Sequence, residues 1–190
     1  MTDLPPWKTR SSRHLVRDRW ISLRADDCVT ATGEEVSPYY VLEYTDWVHV
    51  VAINASDEVL LIEQYRHGLA QVCLELPAGR MDPGDAGPEA TAMRELKEET
   101  GAEGDVVAVL PAWSTNPATH NNKLHTVVLR NVRITAEQAP DPTETIRNRW
   151  CAIDEALQLA RSGKMMSSMQ LGSLIFGLEA IGCLAVGARV

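Results

Sequence analysis

The chain has 190 residues, 45% hydrophobic and 23% charged, with 18 Lys and Arg against 26 Asp and Glu for a formal net charge of −8. This length and composition suit one globular domain, or one with a small appendage, and exclude wholesale disorder. The negative balance argues against a nucleic-acid binder, whose footprint is basic, and an anionic ligand would need positive charge from another source. The opening residues Met1-Thr2-Asp3-Leu4-Pro5-Pro6 lack the apolar core of a leader peptide. Cys28, Cys73, Cys151 and Cys183 are scattered, with no C-x-x-C and no metal-ligand spacing. The expectation is a reduced, cytoplasmic protein with small buried thiols.

Residues 1–46 read as an amino-terminal appendage, with strands over His14–Ala25 and Tyr39–Tyr44 around the turn-rich Thr32-Gly33-Glu34-Glu35. A hairpin alone is marginal in water, so it should lean on the main domain or on a second subunit. Trp47–Ile53 and Val59–Tyr65 read as buried strands flanking the turn Asn54-Ala55-Ser56-Asp57. Cys73–Leu76 is extended and ends at Pro77, and the Pro- and Gly-rich loop 77–88 then feeds a helix over Glu89–Thr100 that Gly101 stops.

Strands over Val106–Leu110 and His125–Leu129 flank the polar loop Ser114–Asn122, and a last strand covers Arg147–Ala152. Asp154 is placed to cap a helix over Glu155–Arg161, which Gly163 ends, and a final helix begins near Ser167. Its apolar residues Leu171, Leu174, Ile175, Leu178 and Ile181 follow i, i+3, i+4, i+7 spacing. The stretch Leu171–Val186 is too short, and broken by Glu179, to cross a membrane. This order predicts an α+β fold, an α/β/α sandwich with a mixed sheet, divided into an appendage at 1–46 and a main domain at 47–190.

The chemistry is concentrated between Gly79 and Ala102. On a helix, Glu95, Glu98 and Glu99 stand at i, i+3 and i+4, so three carboxylates crowd one face. Like charges at that spacing cost an isolated helix roughly a few tenths of a kcal/mol per pair, which a bound cation would offset. Oxygen ligands without His or Cys suit Mg²⁺ or Mn²⁺ rather than zinc. Arg94 is placed to hold one of the carboxylates through a bidentate bond.

Arg94-Glu95-Leu96-Lys97-Glu98-Glu99-Thr100-Gly101-Ala102 matches R-E-U-x-E-E-x-G-U, with U apolar, at every specified position. With Gly79 upstream, the segment resembles the Nudix box. It departs in one place: Asp85 stands where the pattern has Glu, and eight residues rather than seven separate it from Arg94. In the family that acid mainly supports the loop and the helix start.

The resemblance implies hydrolysis of a nucleoside diphosphate linked to another moiety, by metal-activated water attack on phosphorus with Mg²⁺ or Mn²⁺ bound. It implies Glu95 and Glu99 as direct ligands, Glu98 as a direct or water-mediated one, and the Ala78 carbonyl as a further ligand. Glu63-Gln64-Tyr65-Arg66-His67-Gly68 and Glu75-Leu76-Pro77-Ala78-Gly79 resemble the ADP-ribose and ADP-sugar pyrophosphatase branch. So does Pro117, fifteen residues beyond Ala102. The substrate implied is a small nucleotide-sugar such as ADP-ribose, split to AMP and a sugar phosphate. The partner implied is a second copy of the chain, because the branch forms homodimers with exchanged amino-terminal hairpins.

Individual residues carry paired readings. By resemblance Glu144 acts as base or extra ligand; otherwise it is an exposed loop acid. Arg66 faces the diphosphate or forms a salt bridge at a strand end. Trp20 and Tyr39 or Tyr40 sandwich the base or pack within the hairpin. His120 and Asn121 face the ribose or the moiety beyond it, or only reflect loop polarity. Two rival functions stand beside the first: a Nudix hydrolase for GDP-mannose, a dinucleotide or a flavin cofactor, and a non-catalytic Nudix module that binds ADP-ribose. The latter usually loses box glutamates, and all three are kept here. Residues 75–105 hold nine acids and three bases, so the acidity is concentrated where a diphosphate would be repelled without divalent cations.

Overall fold

The computed structural model describes residues 4–185; Met1-Thr2-Asp3 of the opening segment and Val186 at the end of the apolar stretch lie outside the described residues. Two compact units are present. The first runs to Thr45 and includes Ser114–Lys123. Its strands β1 (Lys8–Arg17), β2 (Ser22–Val29) and β3 (Glu35–Leu42) form an antiparallel sheet in the order β1-β2-β3.

The expected strand over His14–Ala25 is therefore split in two. The Asp18 carboxylate accepts hydrogen bonds from the Trp20 N–H at 2.7 Å and the Ile21 N–H at 3.0 Å, which closes a tight turn inside the run. The second expected strand, Tyr39–Tyr44, begins earlier and stops at Leu42. There the backbone turns to the 114–123 loop: the Leu42 N–H donates to the Thr119 carbonyl at 2.7 Å, and the Tyr44 N–H to Asn121 Oδ1 at 3.1 Å. All ten positions of β1 are exposed.

The second unit, Asp46–Trp113 with the chain from Leu124 onward, holds the remaining elements apart from the terminal residues Ser114 and Lys123 of two strands. They are β4 (Trp47–Ala52), β5 (Glu58–Arg66), β6 (Gln71–Glu75), β7 (Ala78–Arg80), α1 (Pro88–Thr100), β8 (Ala102–Val109), β9 (Trp113–Ser114), β10 (Lys123–Ile134), β11 (Ile146–Ala152), α2 (Ile153–Arg161) and α3 (Ser168–Ala180). One sheet runs β7-β4-β10-β8, with β9 beside β10; β4 and β10 are parallel and the other registered pairs antiparallel. A second, antiparallel sheet runs β11-β5-β6.

The two-residue period of β4 explains the layering. Val48, Val50 and Ala52 pack with Ala92 and Leu96 of α1, while Val51 and Ile53 pack with Leu157 of α2 and Leu174 and Leu178 of α3. Leu96, Leu174 and Leu178 are fully buried, and each such side chain contributes roughly 1.5–3 kcal/mol. The predicted mixed sheet between helix layers is the observed arrangement. Two expectations need correction. Asp154 lies inside the first turn of α2 and not at its cap, which is Ala152 and makes no side-chain cap bond. The loop 77–88 contains β7, three residues held extended by pairing with β4. All four cysteines are free, and no helix among the described residues is long and apolar enough to cross a membrane.

Candidate active site

α1 forms where Pro88 fixes the first turn and Glu89 suits the positive end of the helix. It ends at Gly101, whose φ of 71° is left-handed and whose N–H closes on the Lys97 carbonyl at 2.9 Å. The carbonyls that the helix end leaves over are all taken. Glu98 O accepts from the Ala139 N–H at 2.9 Å, Glu99 O from Gln138 Nε2, Thr100 O from Asn148 Nδ2 at 2.8 Å, and Gly101 O from the Thr135 N–H at 2.9 Å. The carboxylate-bearing end of the helix is thereby fastened to the chain that leads into the loop of Glu144.

Arg94 organises the acids around it. Its Nη1 donates to Glu95 Oε1 at 2.9 Å and to Glu98 Oε2 at 3.1 Å. Its two-pronged contact is made with Asp85 rather than with a glutamate, Nη2 to Oδ2 at 3.0 Å and Nε to Oδ1 at 3.4 Å. Asp85 also accepts from Thr91 Oγ1 at 2.8 Å and from the Asp82 N–H at 3.0 Å, so the departure from the usual box is stitched into both loop and helix. Arg94, then the Asp82 N–H and Thr91, hold the Asp85 carboxyl well below the usual carboxylate range.

Glu99 is 3% exposed and accepts the Ala78 N–H at 2.9 Å. Burial pushes its carboxyl up to about 8, with the charges of Glu95 and Glu144 adding to the rise. Burial likewise pushes Glu95 up to about 7 against the pull of Arg94. Gly79 leaves room for them as placed: a Cβ there would stand 2.0 Å from the Glu95 carboxyl carbon. As placed, no three carboxylate, imidazole or thiol groups among the described residues converge as a metal cage, because Arg94 bridges Glu95 and Glu98 and Glu99 turns to Ala78. The donor chemistry nevertheless fits a hard divalent cation. It is oxygen alone, and burial desolvates two of the carboxylates, Glu95 and Glu99.

A cleft of about 410 Å³ in the second unit is lined by Ala78 and Gly79, by Arg66 and Glu75, by Glu144, and by His49 and Gln170. The salt-bridge reading of Arg66 is observed, and the residue also stands on the cleft. It pairs with Glu75, Nε to Oε1 at 3.0 Å and Nη2 to Oε2 at 2.5 Å. His49 Nδ1 lies 2.9 Å from Ser173 Oγ, and burial, with Arg66 nearby, pushes its imidazole down to about 4.

The structure thus gathers Ala78, Glu95, Glu98, Glu99, Arg94, Arg66 and Glu144 in one unit. Trp20, Tyr39, Tyr40, Pro117 and His120 all belong to the other. There the Tyr39 hydroxyl donates to the Ala118 carbonyl, and His120 lies edge-on to Tyr44. Trp20 stands in the β1–β2 turn with the Arg19 guanidinium 4.3 Å from its ring centre, and Tyr40 is half exposed. Sequence reasoning passed over His49, Glu75 and Gln170 as cleft residues. The one available signal was a histidine inside the otherwise apolar run Trp47–Ile53.

Residues 43–168 match the NUDIX domain, and residues 7–42 match the nucleoside diphosphate sugar hydrolase N-terminal domain. The chain is 29% identical over 162 residues to a methanol dehydrogenase activator of Bacillus methanolicus, covering 85% of this chain and 86% of that one. It is 26% identical over 156 residues to an ADP-ribose pyrophosphatase of Bacillus subtilis, covering 82% and 83%. A crystal structure of an ADP compounds hydrolase superposes with a TM-score of 0.83 at 21% identity, covering 97% of this chain and all of the other. The sandwich fold, the box on α1 and a match that spans about two thirds of its length together make the chain a member of the NUDIX family of hydrolases.

Proposed function

We propose that the protein hydrolyses the diphosphate of an ADP-sugar such as ADP-ribose, giving AMP and a sugar phosphate, with Mg²⁺ or Mn²⁺. The observation that carries this is the cleft where Ala78, Gly79, Arg66 and Glu144 meet, next to the desolvated Glu95 and Glu99. The substrate class is supported by the relatives named ADP-ribose pyrophosphatase and by the match of residues 7–42.

In this reading Glu95, Glu98, Glu99 and the Ala78 carbonyl hold the cation, which when bound neutralises the diphosphate and assists water attack on phosphorus. Arg94 keeps Glu95 and Glu98 in position. Arg66, already oriented by Glu75, offers its guanidinium to the diphosphate. Glu144 takes the proton of the attacking water. Trp20, Tyr39, Tyr40, Pro117 and His120 of the first unit recognise the base and ribose. Residues 1–46 serve as the dimerisation segment, which the exposure of every β1 position supports, in a cytoplasmic homodimer.

The test is a turnover panel of ADP-ribose, GDP-mannose, a dinucleotide and a flavin cofactor, run with Mg²⁺ and with chelator. ADP-ribose should be among the best substrates and chelator should stop its hydrolysis. Turnover of ADP-ribose tenfold or more below another member would overturn the substrate, and unchanged turnover in chelator would overturn the metal.

A further inference from the structure

The cleft has a wall that the acidic helix does not supply. His49 on β4 and Gln170 on α3 both line it, at 5% and 4% exposure. Each is anchored to the protein by one polar atom. His49 Nδ1 meets Ser173 Oγ at 2.9 Å, and that hydroxyl meets Thr126 Oγ1 at 2.8 Å. Gln170 Oε1 accepts the Leu76 N–H at 2.7 Å. Ser173 is one helical turn beyond Gln170, on the same face of α3, so the two anchored groups are neighbours.

Each group also has a second polar atom, Nε2, with no hydrogen-bond partner among the described residues. Gln64 Oε1 is the one buried side-chain polar atom sealed without a partner among those residues, so the two Nε2 atoms are open to the cleft. Two buried side chains that spend one end on the frame and turn the other toward a cavity are built to meet a ligand.

We infer that His49 Nε2 and Gln170 Nε2 form a hydroxyl-binding subsite for the sugar beyond the diphosphate. The chemistry of the atoms selects that partner. The oxygen of the Gln170 amide is already used, so its nitrogen can only donate. Nε2 of His49 donates or accepts according to the direction of the Ser173 hydroxyl. A sugar hydroxyl does both, so it satisfies either imidazole tautomer and also accepts from Gln170. A phosphate oxygen only accepts. The uncharged pair therefore reads hydroxyls, while Arg66 and Arg80 on the same cleft supply the cations suited to phosphate.

This inference rests on the reading of the chain as a nucleotide-sugar hydrolase, and the test separates the two. The measurement is kcat/KM for ADP-ribose and for the methyl ester of ADP, which carries the same diphosphate without sugar hydroxyls. His49→Asn keeps an amide near the Nδ1 position and its Ser173 contact but removes the cleft-facing atom. Gln170→Glu keeps the acceptor for Leu76 but removes the donor, and any added repulsion falls on both substrates alike. Each should lower the preference for ADP-ribose over the methyl ester at least tenfold. His49→Gln, which again reaches the Nε2 position, should recover part of it. An unchanged preference in folded His49→Asn and Gln170→Glu, or no recovery in His49→Gln, overturns the subsite while wild-type hydrolysis of ADP-ribose keeps the functional reading. A wild-type protein that hydrolyses ADP-ribose without preference over the methyl ester likewise overturns the subsite alone, whereas one that does not hydrolyse ADP-ribose fails at the parent level and the subsite falls with the reading.

Discussion

Gly79 has no side chain because the Glu95 carboxyl fills that space. A Cβ at this position would sit 2.0 Å from Glu95 Cδ and equally close to Oε1. The obstructing atoms are the tip of a flexible side chain, so Gly79→Ala is accommodated by swinging Glu95 away and breaking its 2.9 Å contact with Arg94. The fold should survive with a loss below about 1 kcal/mol, whereas turnover should fall by about tenfold or more. Thermal melts beside steady-state rates check this. A variant with normal turnover would mean that the placement of Glu95 is immaterial to the reaction.

At the scale of the element, α1 is only as well placed as its last turn. Gly101 has a left-handed φ of 71°, and a Cβ there would lie 2.1 Å from the Ala136 carbonyl oxygen, which is backbone and cannot step aside. Gly101→Ala should cost about 1–2 kcal/mol for the left-handed conformation alone, and more for the displaced 135–139 segment. Urea unfolding would report it, and a midpoint equal to wild type would show that the turn is not rigid. This much was legible in sequence: the i, i+3, i+4 carboxylates and the terminal glycine locate α1 within a residue.

Other elements were hidden by interactions that spacing does not encode. The β1–β2 turn depends on one carboxylate, Asp18, inside a strand-like run. β7 is extended because β4 pairs with it, although its own residues read as loop. The 114–122 segment reads as a polar loop and is fixed by distant backbone partners at Leu42 and Tyr44. In the candidate site, the helix acids and Arg66 follow from local pattern. His49 and Gln170 acquire meaning only through Ser173 and Leu76, far along the chain.

At the scale of the whole molecule, the desolvated acids set the pH response. Glu95 and Glu99 release protons near 7 and 8 in the folded protein, above the ordinary carboxylate value of about 4.3 expected when unfolded. Between those limits these two groups hold more protons in the folded state than in the unfolded one, so stability falls as pH rises from about 5 to 8. The fall is steepest above about 6.5, below which the lowered His49 imidazole opposes it. Melting temperatures in chelator should show that decline, and Glu99→Gln should make it shallower while removing most turnover. If Glu95 and Glu99 hold the cation as proposed, added Mg²⁺ or Mn²⁺ should stabilise the protein more at pH 8 than at pH 6, because a carboxylate must be ionised to bind it. A melting temperature that rises over this interval in chelator would contradict the burial of these charges.

The fastening of the α1 carbonyls also bears on motion. The Ala139 N–H is held by Glu98, and beyond the next six residues the chain is held again as β11 begins at Ile146. Glu144 therefore rides on a short tether with both ends tied down, within which the Glu144 N–H bonds only the nearby Asp141 carbonyl. Such a tether can carry its carboxylate into and out of the cleft without unravelling the helix that bears the other three. In hydrogen–deuterium exchange the Ala139 amide should persist with the sheet amides, while those of Thr143 and Thr145 exchange early. The carboxylates would then divide into a fixed set on the helix and one that moves on its own timescale.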